Sequence, residues 1–221
     1  MSHLSWFCLF LIIGSAYALG KEQPSSRTQM AMSGNALFLL GTFDDHTATQ
    51  VIAKLKQHSD IQVLVLTVNG GSINDEETLR LGRYIRANGL DTHLVENGVA
   101  ASGGVSLLLA GNNRSIGGGA HVGVHAWAQC RSRENICLPA TDFPESDDAH
   151  ALHRDYTQQM LGNDEFYWFT IHAASHDSIH WLSEDELARF DIVNTEAYTP
   201  PELPFADAFN KEYKDVCHNC P

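Results

Sequence analysis

Three apolar runs separated by two helical patterns, all between residues 36 and 96, restrict this chain's fold more than any other feature. ALFLLGT (36–42), VLVLTV (63–68) and THLVE (92–96) are short enough, and apolar enough, to read as buried strands. Between the first two, Asp44 or Asp45 caps a helix whose Ala48, Val51, Ile52 and Leu55 recur at i, i+3, i+4 and i+7. Asn69-Gly70-Gly71 breaks the second run. A helix over 74–88 then sets Leu79, Leu81 and Ile85 among Arg80, Arg83 and Arg86, and ends at Gly89. Strands alternating with helices imply right-handed crossovers and a mainly parallel sheet, hence an α/β domain.

The second half is less regular. Residues 114–116 and 121–125 read as short strands flanking Gly117-Gly118-Gly119, and a polar loop holding two cysteines follows over 128–148. Helical patterns lie near 146–161 and 163–175, and Ser183 with Glu186 forms a capping box opening a short helix before Ile192. The expected organisation is a signal peptide at 1–18, a linker at 19–34, one domain at 35–196 and an irregular cysteine-containing tail at 197–221. Across 221 residues, 43% hydrophobic and 19% charged, the composition suits a single globular domain. With 14 Lys plus Arg against 27 Asp plus Glu the net charge is -13, a field that repels phosphate backbones and excludes nucleic acid as a partner.

The opening MSHLSWFCLFLIIGSAYALG has an apolar core over 4–13 and a small-x-small site at Ala16-Tyr17-Ala18, the pattern of a secretory signal. Lacking Lys or Arg ahead of that core, it has an uncleaved membrane anchor as its alternative. Removing it removes Cys8 and leaves Cys130, Cys137, Cys217 and Cys220. An even count in an exported chain, periplasmic or secreted, favours disulfides, with neighbours paired among three possible connectivities. A four-thiolate zinc site is disfavoured by the wide Cys130 to Cys137 spacing, and no thioredoxin-like elements surround the terminal CHNC. Neither a metal nor a cofactor is expected.

GVAASGGVSLLLAG (98–111) sets Ser102 between two alanines and two glycines, ahead of an apolar run. Small residues suit a sharp turn or a close backbone approach. Ser102 at a helix start can attack a carbonyl while the N–H of Gly103 and a second amide from Gly70 or Gly71 stabilise the oxyanion. It can equally be a simple N-cap. His125, closing HVGVH, is the candidate base, and Asp177 the candidate acid, with Asp164 and Glu165 as alternatives.

LTVNGG, IRANGL, AASGG with LLLAG, GVH and the Leu182–Leu187 segment together resemble the Clp protease proteolytic subunit, and more closely exported bacterial Clp-protease-like proteins, over about residues 36–194. The resemblance implies a Clp/crotonase-type spiral of β-β-α units, a Ser-His-Asp triad and a glycine-built oxyanion hole. Its roles fall on Ser102, His125, Gly70 or Gly71, and Gly103. It also implies peptide or protein substrates and ring-like homo-oligomers. The Ser-Pro that precedes the family's glycine pair is replaced by Asn69, and Ile179 stands where the family has its acid, with Asp177 two residues earlier. The cysteine loop at 128–148 has no counterpart in the cytosolic enzyme.

Two other functions compete with an exported serine hydrolase. One is an inactive scaffold for partner binding or assembly on the same fold. The other is a metal site from His172, His176 and His180, which would share one face of a continuous helix, with Asp177 close by. The order of the α/β-hydrolase triad does not accommodate His125. The lack of lysine between Lys56 and Lys211 argues against a Ser-Lys dyad.

Overall fold

A computed structural model describes residues 28–131, 136–196, 198–204, 206–217 and 220–221; the expected signal segment lies outside the described residues. Six strands stand side by side in the order β1 (Gln29–Ser33), β2 (Ala36–Leu40), β3 (Val63–Asn69), β4 (Asp91–Ala101), β6 (His121–Val124) and β9 (His180–Trp181). A seventh, β5 (Arg114–Ile116), pairs with the first part of β4. The contacts of β2 with β3 and of β4 with β3, β5 and β6 are parallel, whereas β1 and β9 join antiparallel. Every residue of β2 and β3 is buried, as expected of parallel strands covered on both faces.

One face carries α1 (Thr47–Gln57), α2 (Asp75–Ala87) and α3 (Gly103–Leu109), which bury Val51, Leu55, Leu79, Ile85, Leu107 and Leu108 against Leu37, Leu39, Leu64 and Leu66. The other face holds Phe38, Val65, Val68 and Val99. These are covered by Tyr198, Leu203 and α7 (Ala206–Val216), through Phe209, Tyr213 and Val216. Residues 197–221, expected to be irregular, thus contain a helix, and residues 19–34, expected as a linker, contain β1. The sheet requires both: β1 covers the open edge of β2, and α7 buries an apolar surface that water would otherwise meet.

Beyond α3 the chain forms a hairpin of β7 (Ala128–Arg131) and β8 (Ile136–Pro139), then α4 (Ala151–Leu161), α5 (Glu165–Ala173) and α6 (Glu184–Arg189). Cys130 and Cys137 oppose each other across the hairpin and are disulfide-bonded, as are Cys217 and Cys220. The capping box of Ser183 and Glu186 opens α6. Among the described residues no helix is long and apolar enough to cross a membrane.

Arg86 fixes α3 in place. Its guanidinium donates to the carbonyls of Leu109, Ala110 and Gly111 and to Met160 at the end of α4. Terminal helix carbonyls have no partner of their own, so this one side chain satisfies the end of α3 and ties it to α4. Tyr156 supplies a second tie, its buried hydroxyl donating to the Ser106 carbonyl at 2.6 Å. Burial raises the pKa of that phenol.

Candidate active site

The C-terminal ends of β3, β4 and β6 converge, and there the candidate residues meet. Along β4 the register slips, with two steps from Leu66 to Val68 matching five from Leu94 to Val99, before the strand runs into Ser102. Ser102 has φ +52° and ψ −115°, a conformation costly for any residue with a side chain. Its N–H donates to the Gly123 carbonyl of β6 at 3.0 Å, and its carbonyl accepts from the amides of Val105 and Ser106. The side chain makes no capping hydrogen bond. Ser102 therefore occupies the cap position of α3 without performing a cap's chemistry, and among the described residues no hydrogen bond engages its hydroxyl.

That hydroxyl lines a cavity of about 90 Å³ together with His125, Asp75 and His153 on the polar side and Val105, Trp127, Phe166 and Tyr167 among its apolar and aromatic walls. The bond from Ser102 to Gly123 fixes the serine two residues short of His125 along β6. His125 Nδ1 lies 2.8 Å from the Ala126 carbonyl. A carbonyl can only accept, so Nδ1 is the donor, and in the neutral ring Nε2 is the nitrogen with the lone pair. Ala126 is in turn anchored through its N–H to the Ala174 carbonyl at the end of α5. No hydrogen bond joins Ser102 to His125, an open arrangement common before substrate binds.

The two glycines expected in the oxyanion hole separate. A Cβ on Gly71, whose φ is +146°, would lie 3.6 Å from Ser102 Cβ and 3.9 Å from Oγ, whereas one on Gly70 would lie 3.0 Å from Val216 Cγ2 of α7. Gly71 thus faces the serine and Gly70 faces the opposite side of the sheet. Gly103 is packed so closely on Ser72 that an added Cβ would come within 2.7 Å of its side chain. The two loops, 70–72 and 102–104, interlock at backbone distance, which accounts for the small residues around Ser102.

Asp177 is not brought to this cavity. It lies exposed in the turn after α5, where its carboxylate accepts from Ser175 Oγ at 2.6 Å, a bond that holds it below its ordinary pKa. Asp164 accepts from Trp168 Nε1, and Glu165 begins α5 on the outer surface. The carboxylate at the cavity is Asp75, at the first position of α2. It accepts a very short hydrogen bond from Ser72 Oγ and pairs with His153 Nε2 at 3.4 Å. Burial alone would raise its pKa. The hydrogen bonds from His153 and Ser72, and the charges of His153 and His125, outweigh burial and hold Asp75 below the ordinary carboxylate value.

Trp127, Tyr167 and His150 extend this wall. Trp127 Nε1 donates to the Tyr167 hydroxyl at 3.0 Å, and the same hydroxyl sits 2.5 Å from His150 Nδ1. Trp127 also stacks on His153. His172, His176 and His180 do not converge; His180 instead pairs with Glu186 at 3.0 Å.

No protein-family model and no curated protein sequence matches the chain. Its fold does match solved structures. A variant of the 1510-N membrane-bound stomatin-specific protease superposes with TM-score 0.50 at 12% identity, covering 69% of this chain and 75% of that one. A second variant, in complex with a substrate peptide, gives 0.49 at 12% identity over 69% and 71%. An enoyl-CoA hydratase from Shewanella pealeana ATCC 700345 gives 0.45 at 11% identity over 76% and 66%. The chain therefore has a Clp/crotonase-like α/β fold, the fold class that the sequence motifs imply.

Proposed function

We propose that this protein is an exported serine hydrolase acting on peptide or protein substrates. Ser102 carries the reading: a strained residue whose hydroxyl neither caps its helix nor bonds elsewhere, opening into the cavity that also receives His125. In the proposed reaction His125 Nε2 takes the hydroxyl proton as Oγ attacks the substrate carbonyl carbon. The amides of Gly71 and Gly103 stabilise the resulting oxyanion. His125 then returns the proton to the leaving amine, and an acyl-enzyme remains. Water attacks that ester, giving a proton to His125, and His125 passes it to Ser102 Oγ as the acyl–Oγ bond breaks, releasing the acid and restoring both residues.

The Ala126 carbonyl keeps His125 in the tautomer a base needs, a task usually given to a carboxylate. Asp75 adds negative charge near the imidazolium as it forms. The aromatic wall of Trp127, Phe166 and Tyr167 would receive an apolar substrate side chain. The two disulfides support an oxidising location outside the cytoplasm.

A fluorophosphonate probe tests the nucleophile. Wild type should label at one site, and Ser102→Ala and His125→Ala should not. Equal labelling of wild type and Ser102→Ala would remove the proposal. Absence of labelling in wild type would favour the same fold acting as a binding scaffold.

A further inference from the structure

Away from the cavity, at the opposite face of the sheet, one cluster joins three metal-ligating side chains. His121 opens β6, and Cys217 and Cys220 follow the last turn of α7. One imidazole nitrogen and the two sulfurs all lie within 4.8 Å of one another. Neither ring nitrogen of His121 makes a hydrogen bond within the described residues, and the ring lies edge-to-face with Trp181, at 5.9 Å between centroids. A half-buried imidazole with both nitrogens uncommitted, placed beside a Cys-x-x-Cys pair, has a ligand set in search of an ion.

We propose that, when the Cys217–Cys220 disulfide is reduced, His121, Cys217 and Cys220 bind one zinc ion, with water in the fourth position. Two thiolates and an imidazole are the donor set that selects zinc over magnesium or calcium, and Cys-x-x-Cys is a recurrent spacing in zinc sites. Two thiolates at about 2.3 Å from a tetrahedral zinc stand roughly 3.8 Å apart. The bonded sulfurs must therefore part once reduced, while the His121 nitrogen already lies within 4.8 Å of both.

The chemistry balances in two steps. A dithiol or phosphine reductant gives two electrons, and with two protons the S–S bond becomes two thiols. Zinc then displaces those two protons and accepts both thiolates and the His121 lone pair. Because the disulfide joins residues only three apart, opening it frees little chain, so α7 stays docked through Phe209, Tyr213 and Val216. Oxidised, the hook at the end of α7 closes on itself; reduced and loaded, it would be bolted to β6 across the sheet.

The test uses the full chain without a histidine tag and with Cys8→Ser, reduced by a phosphine and desalted without oxygen. Titration with Co2+ should give one equivalent with a thiolate charge-transfer band that Zn2+ abolishes. His121→Ala should weaken zinc binding at least about tenfold, and Cys217→Ser with Cys220→Ser should remove the site. Cys130→Ser with Cys137→Ser, and Ser102→Ala, should leave it intact, so the outcome is separate from that of the hydrolase assay. Zinc should also raise the melting temperature of the reduced protein. No stoichiometric metal in reduced wild type, or undiminished binding in His121→Ala, would overturn the proposal. If His121→Ala does not fold, His121→Gln answers the same question, and equal zinc affinity there would sink it as well.

Discussion

The two faces of the central sheet are built from the same strands yet carry opposite kinds of information. The face under α1, α2 and α3 is held by aliphatic packing, and Ser102, His125 and Asp75 gather where its strands end. The far face is covered late in the chain, by Tyr198, Leu203 and α7, and it buries a titratable group, His93, in mid-sheet. The first face carries the candidate catalytic residues at its rim. The second depends on a cover that is tied down by aromatic contacts and a short cysteine hook. Stability and catalysis should therefore respond to different substitutions on the two faces.

The largest expected effect is on the first face and touches activity alone. Ser102→Ala should lower turnover at least about 10³-fold while leaving the melting temperature unchanged or slightly higher, because the strained φ of +52° persists but no hydrogen bond of the hydroxyl is lost. Peptidase assays and thermal unfolding on the same preparation check it. A large loss of stability would mean that the hydroxyl has a structural task, and the contrast between the faces would fail.

On the far face the expected effect is on stability and on its pH dependence. His93 is 1% exposed, hydrogen-bonded through Nδ1 to Ser115 Oγ at 2.9 Å and edge-on to Tyr198. Burial pushes its pKa down from 6.5 to about 4. The unfolded chain therefore takes up this proton first as pH falls, so stability is fully present above pH 6.5 and is lost progressively toward pH 4. A shift of that size corresponds to about 3 kcal/mol. Denaturant unfolding at the two ends of this window should show that loss in wild type and a smaller one in His93→Phe. Phe209→Ala removes a half-buried ring that touches both apolar clusters of the far face and should cost about 2 kcal/mol without altering probe labelling.

The same division explains what could be read from the residues alone. The first face is local: its strands and helices alternate in sequence, and the periodicity of Val51, Ile52 and Leu55 or the glycines around Ser102 state their surroundings directly. The far face is not, because α7 meets β3 and β4 only after more than a hundred intervening residues. Its signal was present, with Phe209, Tyr213 and Val216 spaced for one helical face, but three prolines between Thr199 and Phe205 drew attention to irregularity instead. A parallel sheet with Phe38, Val65 and Val68 on its second side demands a cover, and that demand points to the last apolar segment of the chain. Ser102 and His125 were legible from flanking small residues and from the end of a strand. Asp75 was not, because an acid in a helix's first turn has an ordinary reason to be there. His153 likewise reads as one of 12 histidines until α4 is folded against α2.

The smallest effects give the finest comparison, between the carboxylate at the rim and the one outside it. Asp75 is bound by Ser72 and His153 and interacts with His125, so in the proposed mechanism its part is positioning and charge. Asp75→Asn removes the charge but keeps the shape, and should lower kcat about tenfold with little change in KM, since an imidazolium forming at His125 loses a stabilising neighbour worth roughly 1.4 kcal/mol. Asp177→Asn, in the exposed turn with Ser175, should change neither kcat nor stability measurably. If instead Asp177→Asn slows the reaction and Asp75→Asn does not, the acid reaches His125 only after a rearrangement of the turn following α5, and the Ala126 carbonyl is a resting partner that substrate binding displaces.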